Sequence, residues 1–175
     1  MYKEIALFAE NMGAEVICDA PMKKYTSFKC GGNAGVLIIP DSLDTLNKII
    51  DFSYSKGVKP FVIGNGSNLL VTDNGINGVV IKIGSKMSEI KLLDETTIYC
   101  EAGASLKALC MFALENSLSG LEFAYGIPGT LGGAVYMNAG AYGGELSSIF
   151  VSGKFITNNL YNHLRSCKRF HNICA

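Results

Sequence analysis

At 175 residues, 49% of them hydrophobic and with a mean hydropathy of +0.26, the chain has enough apolar content for one ordinary domain or two small lobes sharing a ligand. Fifteen basic and fifteen acidic residues cancel to a formal charge of zero with a pI near 6.7, which argues against a general nucleic-acid binder, whose mark is a basic excess. The six cysteines form no CxxC pair, Glu4 and Glu10 interrupt the apolar pattern of the N-terminus, and the weakly charged run 118–146 is broken by Glu122, Pro128 and glycines; reduced thiols, no secretory leader, no membrane helix and a cytoplasmic protein are expected.

In chain order, Ile5, Phe8, Ala9 and Met12 recur at helical spacing and Gly13 follows as a stop, so residues 2–12 are expected to form an amphipathic helix. An extended piece over residues 15–18 leads to Tyr25–Ala34, where hydroxyls and the pair Gly31–Gly32 suggest either a tight bend or a backbone lying close to a ligand. The run GVLIIP reads as a buried strand ended by Pro40. Asp41 and Ser42 then offer cap oxygens to a helix carrying Leu43, Leu46, Ile49 and Ile50, closed by Gly57. The next strand, residues 60–63, runs directly into Gly64, Asn65, Gly66, Ser67 and Asn68, whose consecutive amides and hydroxyl make a good anion cradle. It is not a Walker loop, because the lysine followed by Ser or Thr is missing, and the apolar Leu69–Val71 after it predicts a strand where a dinucleotide fold needs a helix.

Beyond Asn74 the pattern predicts strands at 79–83, 89–93 and 97–102, joined by short turns that imply antiparallel pairing. Ser105 is placed to cap a helix with the stripe Leu106, Leu109, Cys110, Ala113 and Leu114, in which Cys110 reads as a small core residue. The stretch GIPGTLGGAVYMNAGAYGGE, residues 126–145, follows, with Gly126, Gly129, Gly132, Gly133, Gly140, Gly143 and Gly144. So much glycine serves either tight packing or close approach to a ligand, and with Glu145 as the only charged residue a phosphate here would be held by main-chain N–H groups. The tail differs. Every acidic residue lies at or before Glu145, whereas Arg165, Arg169, His163 and His171 fall near the end, in a segment (151–175) that fits no strand or strong helix pattern. His163, Cys167, His171 and Cys174 have spacing that could suggest zinc, but no second shell accompanies them, and no metal site is expected.

Taken together, residues 26–34, the loop GNGSNLLV and the stretch 126–145, in this order and spacing, resemble the N-terminal flavin-binding half of bacterial UDP-N-acetylenolpyruvoylglucosamine reductase, also called UDP-N-acetylmuramate dehydrogenase, over about residues 1–150. The resemblance implies an α+β fold, an FAD-binding domain of the p-cresol methylhydroxylase type with two small α/β lobes (about 1–83 and 84–150) and the flavin between them. It implies that Gly64, Asn65, Gly66, Ser67 and Asn68 wrap the FAD pyrophosphate. Backbone contacts to pyrophosphate and flavin would come from Gly126, Ile127, Pro128, Gly129, Thr130, Gly132, Gly133 and Ala134, and Asn138, Ala139 and Gly140 would line the flavin side.

The implied reaction belongs to peptidoglycan precursor synthesis: NADPH reduces the flavin, which reduces UDP-N-acetylglucosamine enolpyruvate to UDP-N-acetylmuramate while an acid protonates the adjacent carbon. The family's arginine after a tyrosine, its serine and its C-terminal glutamate have no matching positions here, so no catalytic residue is assigned. The chain is expected to be a truncated, inactive FAD-binding fragment without the substrate domain, acting as a monomer with neither nucleic acid nor membrane as partner. An oxidase of the same superfamily and a nucleotide-binding module without redox activity are the alternatives; the first is weakened because no histidine precedes residue 163 to tether a flavin.

Overall fold

The computed structural model describes residues 2–157, 160–165 and 173–174, with the backbone alone for residues 157, 160–165 and 173–174. The chain divides into two compact units, Met1–Met87 and Ser88–Ala175. Helices and sheets of mixed direction give the α+β class the sequence implies. Among the described residues no helix is long and apolar enough to cross a membrane.

The first unit opens with α1 (Tyr2–Asn11), which buries Ile5, Ala6 and Ala9 and ends at Gly13 with φ +84°. Strand β1 (Glu15–Pro21) pairs antiparallel with β2 (Asn33–Ile39). Helix α2 (Leu43–Ser55) starts where the sequence places its cap: the Ser42 hydroxyl accepts from the Thr45 N–H at 3.2 Å. Its face towards α1 stacks Phe52 on Phe8 at 4.1 Å between centroids. Strands β3 (Phe61–Ile63) and β4 (Ile76–Lys82) complete a sheet of order β1-β2-β4-β3. Side chains alternate across it, so Leu37 and Val80 share a cluster with Ala20, Met22, Ala34, Ile63 and Val71, while Val36, Ile38, Val79 and Ile81 point to the opposite face.

Two expectations fail in this unit. Strand β4 does not pair antiparallel with its successor; it lies parallel between β2 and β3. The reason is burial on both faces: Val79, Val80 and Ile81 are all essentially inaccessible, the mark of a central parallel strand. Leu69–Val71 is not a strand either but part of the connection over residues 64–75, with Leu70 exposed and only Val71 buried. That connection carries no helix, so the sheet is not doubly wound.

In the second unit β5 (Ile90–Leu92) and β6 (Ile98–Cys100) form the expected antiparallel pair. Helix α3 (Leu106–Glu115) is capped by Ser105, whose hydroxyl accepts from Ala108 N–H at 3.1 Å. Its buried stripe is Leu106, Leu109, Cys110 and Ala113; Leu114, expected on that stripe, is 69% exposed because it lies one residue past the face that meets the core. The short α4 (Leu131–Met137) adds Leu131 and Ala134 to the same core. Strands β7 (Gly140–Ala141) and β8 (Gly144–Glu145) form a small hairpin. The tail also departs from expectation: β9 (Ser152–Thr157) pairs antiparallel with β10 (Leu160–Arg165), and β11 (Ile173–Cys174) lies parallel between β9 and β6. The run Lys154–Thr157 suits an extended strand.

Cys100 is wholly inaccessible in this core, and desolvation pushes its thiol up from 9.0 to about 12. The folded state therefore prefers the protonated thiol more strongly than the unfolded chain does. Its contribution is fully present below about pH 9 and is lost as pH rises towards about 12. Chemical denaturation between pH 8 and 11 should show stability falling over this window, and Cys100→Ala should flatten the slope; an unchanged slope in the variant would assign the fall to other groups.

Candidate functional site

Each unit presents one of the glycine-rich stretches. In the first, the loop Gly64–Asn68 leaves the C-terminal end of β3 and turns at Gly66, whose φ is +60°. A β-carbon on Gly66 would stand 2.2 Å from the Tyr25 carbonyl oxygen, and the Ser27 N–H donates to the Gly66 carbonyl at 3.2 Å. The close approach that demands glycine is thus to the chain's own segment 25–27. Further along, Gly32 donates its N–H to the Thr72 carbonyl at 2.8 Å, and β-carbons on Gly32 and Gly75 would fall 2.1 Å from the Asp73 oxygen and 2.0 Å from the Asn33 oxygen. Segments 25–33 and 64–75 are therefore one pinned pair of loops. Residues 72–75 carried no local signal of this role, because the contact that defines it comes from forty residues away in sequence, roughly a whole strand–helix unit.

With its backbone fixed in this way, the loop offers donors. None of the N–H groups of Gly64, Asn65, Gly66, Ser67 and Asn68 meets a protein acceptor among the described residues, and neither the Ser67 hydroxyl nor the Asn65 and Asn68 amides are bonded within the chain. A run of unpartnered amides with a hydroxyl and no charged side chain is suited to an anion with several oxygens, such as a diphosphate. The residues fit that group: partners are free, and no β-carbon at Gly64 or Gly66 crowds the approach.

The second stretch is spent differently. The N–H groups of Leu131 and Gly132, at the start of α4, donate to the carbonyls of Ala104 (2.8 Å) and Ala102 (2.9 Å). Those of Ile127, Gly129 and Ala134 donate to Ala124, Ile127 and Thr130. Most of this backbone is therefore occupied by the fold, and within residues 126–134 the amides of Gly126, Thr130 and Gly133 are without a backbone acceptor; Pro128 has no N–H to give. Asn138 ends α4 in the left-handed region at φ +46°, and its Oδ1 accepts from the Ser147 N–H at 2.8 Å. Ala139 N–H donates to Ala134, its carbonyl accepts from Leu146, and Gly140 lies so close to Gly144 that a β-carbon would be 2.7 Å from that carbonyl. These three residues close the base of the β7–β8 hairpin.

Among the described residues no group of three His, Cys, Asp or Glu side chains could hold a metal. Of the zinc-spaced set, Cys167 and His171 lie outside the described residues, as do the side chains of His163 and Cys174.

A family model described as an FAD binding domain matches residues 34–159. The chain is 45% identical over 157 residues to the UDP-N-acetylenolpyruvoylglucosamine reductase of Syntrophomonas wolfei, covering 90% of this chain and 52% of the relative. It is 50% identical over 141 residues to the enzyme of the same name from Clostridium botulinum (strain Hall), covering 81% of this chain and 45% of the relative. Among solved structures it is similar to the corresponding reductase of Thermus caldophilus, with a TM-score of 0.70 at 30% identity over 87% of this chain and 52% of that one. Cholesterol oxidase from Brevibacterium sterolicum, at TM-score 0.61 and 14% identity over 87% of this chain and 32% of that one, shares the fold alone. The chain spans about half the length of the curated relatives it matches.

Proposed function

Because the chain belongs to the FAD binding domain family, we propose that it is the flavin-binding part of a UDP-N-acetylenolpyruvoylglucosamine reductase. The whole enzyme would be cytoplasmic and monomeric, would use NADPH, and would act on UDP-N-acetylglucosamine enolpyruvate in peptidoglycan precursor synthesis. The observation that carries the reading is the run of unpartnered amides from Gly64 to Asn68 in a chain that is 45–50% identical to named reductases.

Bound FAD would supply the two-electron chemistry, taking hydride equivalents from NADPH and giving them to the enolpyruvyl double bond. The chain's own residues bind and orient. The Gly64–Asn68 amides and the Ser67 hydroxyl would hold the diphosphate, and Thr26, buried beneath this segment with its hydroxyl donating to the Cys30 carbonyl at 3.4 Å, keeps segment 25–30 in place. In the second unit the amides of Gly126, Thr130 and Gly133 remain to meet pyrophosphate or flavin, with Ile127, Pro128, Gly129, Gly132 and Ala134 shaping the surface through their backbone. Asn138, Ala139 and Gly140 would line the flavin side. No residue of this chain is assigned a proton-transfer role.

The test is uptake of flavin. The purified chain, incubated with FAD and passed over a desalting column, should retain visible flavin absorbance near one equivalent per chain. A colourless protein that nevertheless binds ADP would overturn the reading in favour of a nucleotide-binding module.

A further inference from the structure

Resting on the FAD reading above, we propose that Lys29 is the cation that meets the cofactor's diphosphate at the Gly64–Asn68 loop. A diphosphate brings about two negative charges, and amides and hydroxyls alone leave that charge unneutralised; neither residues 64–68 nor residues 126–144 contain a lysine or arginine. A cation that adds to the amides must therefore come from another segment, and the one pinned against the loop is 25–33.

Within it Lys29 stands apart. Its backbone lies in the left-handed region at φ +54°, where a side chain longer than Asn is uncommon, and the turn is closed by its own N–H donating to the Thr26 carbonyl at 3.2 Å. It is two residues beyond Ser27, whose N–H is bonded to Gly66, so its position relative to the loop is set by backbone contacts. Its side chain is exposed and makes no ion pair among the described residues. Glycine or asparagine would relieve the strained turn; lysine in that position supplies an ammonium on a long flexible stem two residues beyond the contact with Gly66. Lys23 and Lys24, just before this segment, are also exposed, but their 3₁₀ turn carries no such strain.

The experiment is a titration of the 175-residue chain with FAD and, separately, with riboflavin, which has the ring system and no phosphate. Lys29→Gln should weaken FAD binding roughly three- to tenfold at low salt, with the gap closing at 1 M salt, while riboflavin binding stays as in the parent. Lys29→Arg should keep FAD affinity. Lys29→Gly is the variant that separates roles: it should melt at or above the parent temperature yet lose FAD affinity as Lys29→Gln does, whereas a merely structural lysine would lose none. Lys59→Gln, the same charge change at an exposed position elsewhere in the first unit, should leave FAD affinity unchanged. Parity of Lys29→Gln and parent for FAD, or an equal loss for riboflavin, would overturn this proposal alone. A parent chain that takes up no FAD would overturn the family-based reading and this inference with it.

Discussion

Given NADPH, FAD and UDP-N-acetylglucosamine enolpyruvate, the purified 175-residue chain is expected to form UDP-N-acetylmuramate at least about 10⁴-fold more slowly than a full-length relative such as the Clostridium botulinum enzyme. The reaction needs a group that protonates carbon and groups that stabilise the charge developing on the enolpyruvyl unit. A general acid working near neutral pH is most often a histidine or a carboxyl whose pKa is raised. The carboxylates with a definite shift, Glu4, Asp41 and Asp94, are all held lower than usual: Glu4 by Lys56, Asp41 by the Thr45 hydroxyl, Asp94 by the Thr96 amide. No histidine precedes His163, and no acidic residue follows Glu145. Loss of one positioned charge-stabilising donor is worth ~10² to 10³ in rate and of an acid a further ~10² to 10⁴, which sets the factor. NADPH oxidation alone is no test, since exposed flavin can turn over without the sugar. Product formation within tenfold of the relative would place the catalytic groups in this chain.

The second large effect contrasts two glycines of the same conformation. Gly66 and Gly57 have φ of +60° and +68°, but a β-carbon on Gly57 would meet nothing within 4 Å, whereas on Gly66 it would strike the Tyr25 carbonyl. Gly57→Ala should cost only the left-handed penalty, about 1 kcal/mol, and leave FAD affinity intact. Gly66→Ala should add the cost of moving one backbone segment off another, bringing the total to about 2–5 kcal/mol, and it should weaken FAD binding more than tenfold because the amides of Gly64–Asn68 move with the loop. Gly66→Val should be worse on both counts. Thermal melts monitored by circular dichroism, with FAD titration below the melting range, separate unfolding from loss of the site. FAD affinity equal to the parent in a folded Gly66→Ala would remove this loop from the binding site.

The residues that announce local structure were readable in order. Ser42 and Ser105 cap helices with their own hydroxyls, Gly13 and Gly57 end helices by taking positive φ, and the stripe Leu106, Leu109, Cys110, Ala113 faces the core, because each signal acts within about one turn of the chain. The glycine of GNGSN was readable as a position that tolerates no side chain. What it avoids was not: the Tyr25 carbonyl is brought to it by the fold. The same holds for the amides. In sequence, both glycine stretches look equally able to hold a phosphate, but Ala102 and Ala104 take up Gly132 and Leu131 in the second, while Gly64–Asn68 is left with its donors free. Strand partners were hidden for the same reason, since β4 pairs parallel on both sides only once the connection over 64–75 has carried the chain back across the sheet, and in the run Leu69–Val71, apolar enough for a strand, Val71 instead packs against Gly31. The sequence by itself determined the caps, the apolar faces, the positions where only glycine fits and the family resemblance. The tertiary structure alone decided which backbone donors remain for a ligand, because a hydrogen-bond partner distant along the chain leaves no trace in the local pattern of residues.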